Sequence, residues 1–167
     1  MAAYAEKVEQ GNKASAGREG KYLTFALAGE EYGISILKVK EIIGMMGITA
    51  VPQTPGFVKG VINLRGKVIP VVDLRLKFGM EPMPYTERTC IVVVEISGAT
   101  GPIMMGIVVD TVSEVLNIKA NEIEDTPTFG VRLNTEFILG MAKINSAVKI
   151  LLDINRVLTE EEITHLQ

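Results

Sequence analysis

The chain has 167 residues, a net charge of −3, 47% apolar and only 5% aromatic residues, with one cysteine and one histidine. That is too apolar for a disordered chain, and no apolar run approaches the ~20 residues a bilayer span needs. Cys90 alone forms no internal disulfide, His165 alone builds no histidine metal cage or catalytic centre, and scattered Lys and Arg give no basic face for nucleic acid.

In chain order, residues 1–19 read as a mobile tail without the apolar core of an export signal. With the unpaired thiol, this leads us to expect a soluble cytoplasmic protein. From Lys21 onward, short runs rich in Val and Ile recur about every ten residues, bounded by Gly, Pro, Asn and Thr: YLTFALAG, EYGISI, GVINL, KVIPVV, CIVVVEI, IMMGIVV, FILGMAKI and VKILLDI. This is the signature of a small sandwich or barrel of strands. Only residues 159–167, TEEEITHLQ, read as a helix, opened by the Thr159/Glu162 capping-box spacing.

The chain also repeats itself. Phe57–Phe78, FVKGVINLRGKVIPVVDLRLKF, aligns without a gap on Phe137–Leu158, FILGMAKINSAVKILLDINRVL, after a shift of 80. Gly60 then falls on Gly140, Asp73 on Asp153, Val71 on Leu151 and Val72 on Leu152. A second block, YGISILKVKEII, aligns on MGIVVDTVSEVL after a shift of 73, with Gly33 on Gly106, Val39 on Val112 and Glu41 on Glu114. Two blocks in the same order indicate a duplication. Its halves, 20–84 and 85–158, are too small to bury enough surface alone. The expected fold is mainly β: two small barrels with a shared core and a groove between them.

Several residues raise functional questions. Gly60 with Gly66-Lys67 fails as a phosphate loop, because the glycine spacing is wrong, Val68 follows the Lys, and a strand follows instead of a helix. Asn63–Leu74 reads instead as a hairpin, with Gly66 at positive φ and Leu64 and Val68 on one face. The first copy adds charge to this turn, having Arg65 and Lys67 where the second has Asn145 and Ala147. From the residues alone, Arg65 is either an inert surface cation or a partner contact. Asp73 and Asp153 read as N-caps of short helical turns, the first ended by Gly79. Ser35 is placed to cap a turn before a strand on which Lys38, Lys40 and Glu41 point outward and Val39, Ile42 and Ile43 inward or toward a neighbour. Cys90 reads as a small buried hydrophobe. Met45-Met46 and Met104-Met105 read as core filler, with partner contact open. No nucleophile–base pair or metal motif is visible, so neither enzyme nor cofactor is expected.

The stretches EEYGISILKVKEII, TPGFVKGVINLRGKVIPVVDLRLKFG and GIVVDTVSEVL closely resemble the CheW-like domain family of bacterial chemotaxis, from about Lys21 to about Glu162. The pattern F-x-K-G-V-x-N-L-R-G followed by P-V-V-D-L-R is highly specific to it. The same domain occurs in the histidine kinase CheA and the hybrid protein CheV, but 167 residues leave no room for kinase or receiver domains, so stand-alone members match best. The resemblance implies two tandem five-stranded SH3-like or OB-like barrels. It also implies a non-catalytic scaffold that couples methyl-accepting chemotaxis receptors to CheA, monomeric when isolated and recruited to membrane-receptor arrays without inserting in the membrane. Receptor-facing positions carry over onto Val39, Glu41, Gly60 and Arg65, with Lys38, Asn63, Gly66 and Lys67 as neighbouring groove or tip candidates. Kinase contacts, through CheA's own CheW-like domain, carry over onto no particular residue. The rival expectation is an OB-like binder of single-stranded nucleic acid, which requires a basic groove with stacking aromatics.

Overall fold

The computed structural model of the chain describes residues 17–126 and 136–158. The helix expected at 159–167 and the first sixteen residues of the expected tail lie outside the described residues. Eleven strands are present among the described residues: β1 Gly20–Leu27, β2 Glu30–Ser35, β3 Val39–Gly44, β4 Val58–Leu64, β5 Lys67–Asp73, β6 Cys90–Gly98, β7 Gly101–Val109, β8 Thr111–Ile118, β9 Ile123–Glu124, β10 Ile138–Ile144 and β11 Ala147–Leu152. A 3-10 turn, Ile36–Lys38, joins β2 to β3, and single-turn helices α1 (Leu74–Lys77) and α2 (Ile154–Val157) follow β5 and β11.

The strands form two sheets, in the orders β8-β1-β2-β11-β10-β9 and β3-β6-β7-β5-β4. The middle of β6 and the second half of β7 are buried on both faces, which is why these strands read as unbroken apolar runs. Alternation along β6 shows the division. Ile91 and Val93 face a small core with Ile62, Ile69, Val71 and Val108. Val92, Val94 and Ile96 face a larger core shared with Leu23, Phe25, Ile34, Val72 and Leu152. The six-stranded sheet encloses its own small core of Tyr22, Ile118, Ile123, Ala142 and Leu151. The chain thus forms the mainly-β pair of small units around a shared core that its pattern implied, one of them carrying the extra two-residue strand β9.

Hydrogen bonding groups the strands differently from the sequence halves 20–84 and 85–158. β1 and β2 from the first half join β8–β11, while β6 and β7 from the second join β3–β5. The halves exchange their opening hairpins. The exchange is symmetric in register: Val71 lies opposite Gly106 in the parallel β5/β7 pair, and Leu151 opposite Gly33 in the parallel β11/β2 pair. These are the positions that the shifts of 80 and 73 superimpose. Both positions are tight: a Cβ on Gly106 would come 2.8 Å from Ile91 Cγ2, and one on Gly33 would sit 3.0 Å from the Leu151 Cδ2 methyl.

The repeat extends to the caps. Asp73 Oδ1 accepts from Arg75 N at 2.9 Å and Asp153 Oδ1 from Asn155 N at 3.1 Å, opening α1 and α2 as expected. Asp73 N donates to Phe57 O and Asp153 N to Phe137 O, each at 2.8 Å. Gly79, at φ 72, follows α1 and donates to Leu76 O. The rings of Phe25, Tyr32, Phe78 and Phe137 stack in a continuous row through the shared core, joining residues of both halves.

A charged hairpin tip against a strand edge

The β4–β5 hairpin closes with two residues, since Leu64 pairs with Lys67. Arg65 (φ 50) and Gly66 (φ 84) both adopt positive φ, the requirement of a type I′ turn, and Asn145 (φ 49) and Ser146 (φ 67) do the same in the second copy. Asn63 Oδ1 accepts from Gly66 N at 2.9 Å, which fixes the turn. A two-residue loop sets Val68 opposite Asn63, not on the face of Leu64, because a slip of one residue reverses every side chain. Leu64 packs toward the small core, whereas Val68 is 70% exposed.

The strand that meets this tip is β3, at the edge of the five-stranded sheet. Ser35 Oγ accepts from Leu37 N at 3.3 Å and caps the turn before it, as expected. A bulge at Lys40 then shifts the pairing with β6 between Val39 and Glu41. The bulge reverses the expected facing. Glu41 joins Ile43 on the side of the small core and is half-buried, while Ile42 is left 44% exposed. Lys40 is exposed, but Lys38 and Val39 are half-buried.

The bulge aims Glu41 at the hairpin tip. Arg65 Nη2 donates to Glu41 Oε2 at 2.6 Å, with the arginine side chain 73% and the glutamate side chain 24% exposed. The hydrogen bond from Arg65 holds the Glu41 carboxyl below its ordinary range against the effect of desolvation. Glu41 Oε1 is buried and has no hydrogen-bond partner among the described residues. The result is a guanidinium held at one corner, with its remaining N–H groups directed outward, able to pair with an incoming acceptor. Lys67 stands exposed beside it on the same hairpin.

Gly60 belongs to this region through the backbone, not as a contact surface. It is buried, at φ 141, at a bulge between Val58 and Gly60. The loop crossing β4 pairs Thr49 with Val61 through two 2.9 Å bonds, covering the sheet edge. A Cβ on Gly60 would fall 2.0 Å from Thr49 O.

Two polar arrangements escaped sequence reasoning. Arg75 donates through Nε and Nη2 to Asp110 Oδ1 and Oδ2, both at 2.6 Å, and through Nη1 to Glu81 O at 3.1 Å. Asp110 also accepts from Ala28 N at 2.9 Å. Burial pushes the Asp110 carboxyl up, but the bonds from Arg75 and Ala28 outweigh it and hold the carboxyl below its usual value. Tyr85 OH donates to Asp73 Oδ2 at 2.9 Å. Burial first, then that carboxylate, push the Tyr85 phenol well above its ordinary value. A hollow of about 100 Å³ lies between these groups, lined by Asp73, Arg75, Tyr85, Thr89 and Asp110. No local signal marked Arg75 or Asp110, because their pairing joins α1 to the residue after β7, 35 positions along the chain. Met105 is fully buried in the shared core, as expected, and Met45 and Met104 pack partly buried against the small core; Cys90 is only half-buried, and Met46 is exposed instead of filling the core. Among the described residues no cluster of His, Cys, Asp and Glu could hold a metal ion.

Residues 21–162 match the family model described as CheW-like domain. The chain is 44% identical over 142 residues to the chemotaxis protein CheW of Klebsiella aerogenes, covering 85% of this chain and 83% of that one. It is 34% identical over 142 residues to the chemotaxis protein CheW of Bacillus subtilis, covering 84% and 88%. Among solved structures, the scaffolding protein TtCheW of Thermoanaerobacter tengcongensis superimposes with a TM-score of 0.74 at 37% identity, over 83% of this chain and 92% of that one.

Proposed function

The chain belongs to the CheW-like domain family, and from that premise we propose that it is a non-catalytic adaptor coupling methyl-accepting chemotaxis receptors to the histidine kinase CheA. The family match over most of the chain and the resemblance to a protein described as a scaffold support this reading. The observation that carries the receptor-binding part is the Arg65–Glu41 pair at an exposed tip. It presents a cation already oriented, and preorganisation of this kind lowers the cost of binding.

In this reading Val39, Glu41 and Arg65 face the helical tip of a receptor, with Lys38, Asn63, Gly66 and Lys67 around them and Gly60 supporting the backbone. A helix laid in a groove between sheets buries an apolar stripe while its polar rim meets the charged tip. CheA engages other ends of the molecule through its own CheW-like domain. Such head-to-tail pairing of similar domains can close into rings, and many weak contacts in an array add through avidity. The protein acts in the cytoplasm and reaches the membrane through receptors. No helix among the described residues is long and apolar enough to cross a bilayer. A net charge of −3 and a tip without aromatic residues disfavour single-stranded nucleic acid as the partner.

Co-sedimentation with receptor cytoplasmic fragments and with CheA, separately and together, tests the proposal. The chain should pellet with each and raise the recovery of the other. Failure to bind either would overturn it.

A further inference from the structure

We propose that the β1–β2 hairpin can leave its own sheet and complete the same sheet in a second copy of this chain, with Ile36–Lys38 as the hinge. The hairpin pairs with β8 on one side and β11 on the other, and both strands lie far along the chain. Arg18, just before β1, adds bonds to Asp125 Oδ1 at 2.8 Å and to Leu139 O at 3.3 Å. A second copy offers all these partners unchanged. Exchange therefore needs no new interface, only a changed hinge.

The two crossovers between the sheets differ in how firmly they are held. The shift of 73 that relates the halves superimposes Leu37 on Asp110, the single residue between β7 and β8. Asp110 is held by Nε and Nη2 of Arg75 and by Ala28 N. Leu37 is 83% exposed and is held by the 3.3 Å cap from Ser35. Ser35 (ψ 132) and Val39 (ψ 124) are already extended on either side. Straightening three residues from 3-10 to extended geometry, from about 2.0 to about 3.3 Å per residue, turns β2 and β3 into one continuous strand. The hinge that opens is the unlatched one, so the N-terminal hairpin is the element exchanged.

The test uses the full chain with Cys90→Ser, Lys21→Cys and Asn117→Cys. Lys21 and Asn117 are exposed and lie opposite each other in the β1/β8 pair, within disulfide range. The protein is unfolded, refolded at increasing concentration, and separated by size before mild oxidation. A dimer that persists on dilution and runs as a covalent dimer on a non-reducing gel supports exchange, while the monomer closes its disulfide within one chain. Adding Leu37→Pro, which drives Ile36 to an extended conformation, should raise the dimer fraction severalfold. A dimer that closes both disulfides within its own chains, or no long-lived dimer at any concentration, overturns the proposal. The parent chain decides the matter even if Leu37→Pro fails to fold.

Discussion

Arg65 and Glu41, 24 residues apart in sequence, are joined Nη2 to Oε2 at 2.6 Å, so the tip of one hairpin is tied to the edge strand of the same sheet. The contact depends on two local accidents of backbone. A two-residue turn puts Arg65 at the tip, and a bulge at Lys40 turns Glu41 toward it.

Arg65→Ala should therefore weaken binding to a receptor tip by about tenfold, the effect of losing a cationic hot spot. Glu41→Ala should weaken it by less, since the guanidinium remains but loses its orientation. Both variants should keep the wild-type circular dichroism and a Tm within about 2 °C, as expected for an ion pair whose arginine is open to solvent. Unchanged receptor binding in both would remove this surface from the receptor interface.

Gly60→Ala should damage the fold itself. The new Cβ meets a backbone carbonyl oxygen at 2.0 Å, which no rotamer change relieves. We expect a loss of about 3 kcal/mol or more, or ~6–12 °C in Tm for a chain of this size. Gly66→Ala is the control. It also sits at positive φ but meets nothing within 4 Å, so it should cost only about 1 kcal/mol. Thermal melts of the two variants make the comparison.

Asp110→Ala should destabilise the protein by about 3 kcal/mol, because it leaves the buried Arg75 guanidinium without its carboxylate. The same pair gives a pH dependence of definite sign. The folded-state pKa of Asp110 is depressed, so its stabilisation is present above the ordinary carboxylate value of about 3.9 and is lost as pH falls through the lower folded-state value. Urea midpoints measured from pH 6 downward should fall less steeply in Asp110→Ala than in the parent. Parallel curves would show that the pair does not contribute in this way.

The two N-caps should not be equivalent. Asp153→Ala loses a helix cap, at about 1 kcal/mol. Asp73→Ala loses the same cap and also leaves the Tyr85 hydroxyl unpaired, so about 2 kcal/mol is expected. Tyr85→Phe alone should cost about 1 kcal/mol, matching that difference. Equal losses in the two Asp variants, read from denaturant titrations, would mean that the Tyr85 bond contributes nothing.

Much of this architecture is legible in the sequence because it rests on local chemistry. The capping aspartates, the Gly66 turn and the strand CIVVVEI each follow from a few neighbouring residues. The duplication is legible because Gly33 and Gly106 answer the same steric demand. The facing of Glu41 and Ile42 is not legible, since no residue in KVKEII announces a bulge and one inserted position reverses the alternation. The exchange of hairpins is equally silent. Each strand keeps the same apolar pattern whichever half supplies its neighbours, so periodicity carries no information about which sheet a hairpin joins. Arg75 and Asp110 resemble ordinary surface charges until the fold brings β1, α1 and the end of β7 together.

The placement of β1 and β2 bears on how the protein is made. These strands leave the ribosome before the other described strands, yet the neighbours that flank them, β8 and β11, are among the last described segments to be synthesised. At roughly 5–20 residues per second, the ribosome takes roughly 6–23 s to translate the span from Ser35 to Leu152. Throughout that interval the nascent chain carries an apolar hairpin with no finished sheet to receive it, a natural client for a chaperone at the exit tunnel.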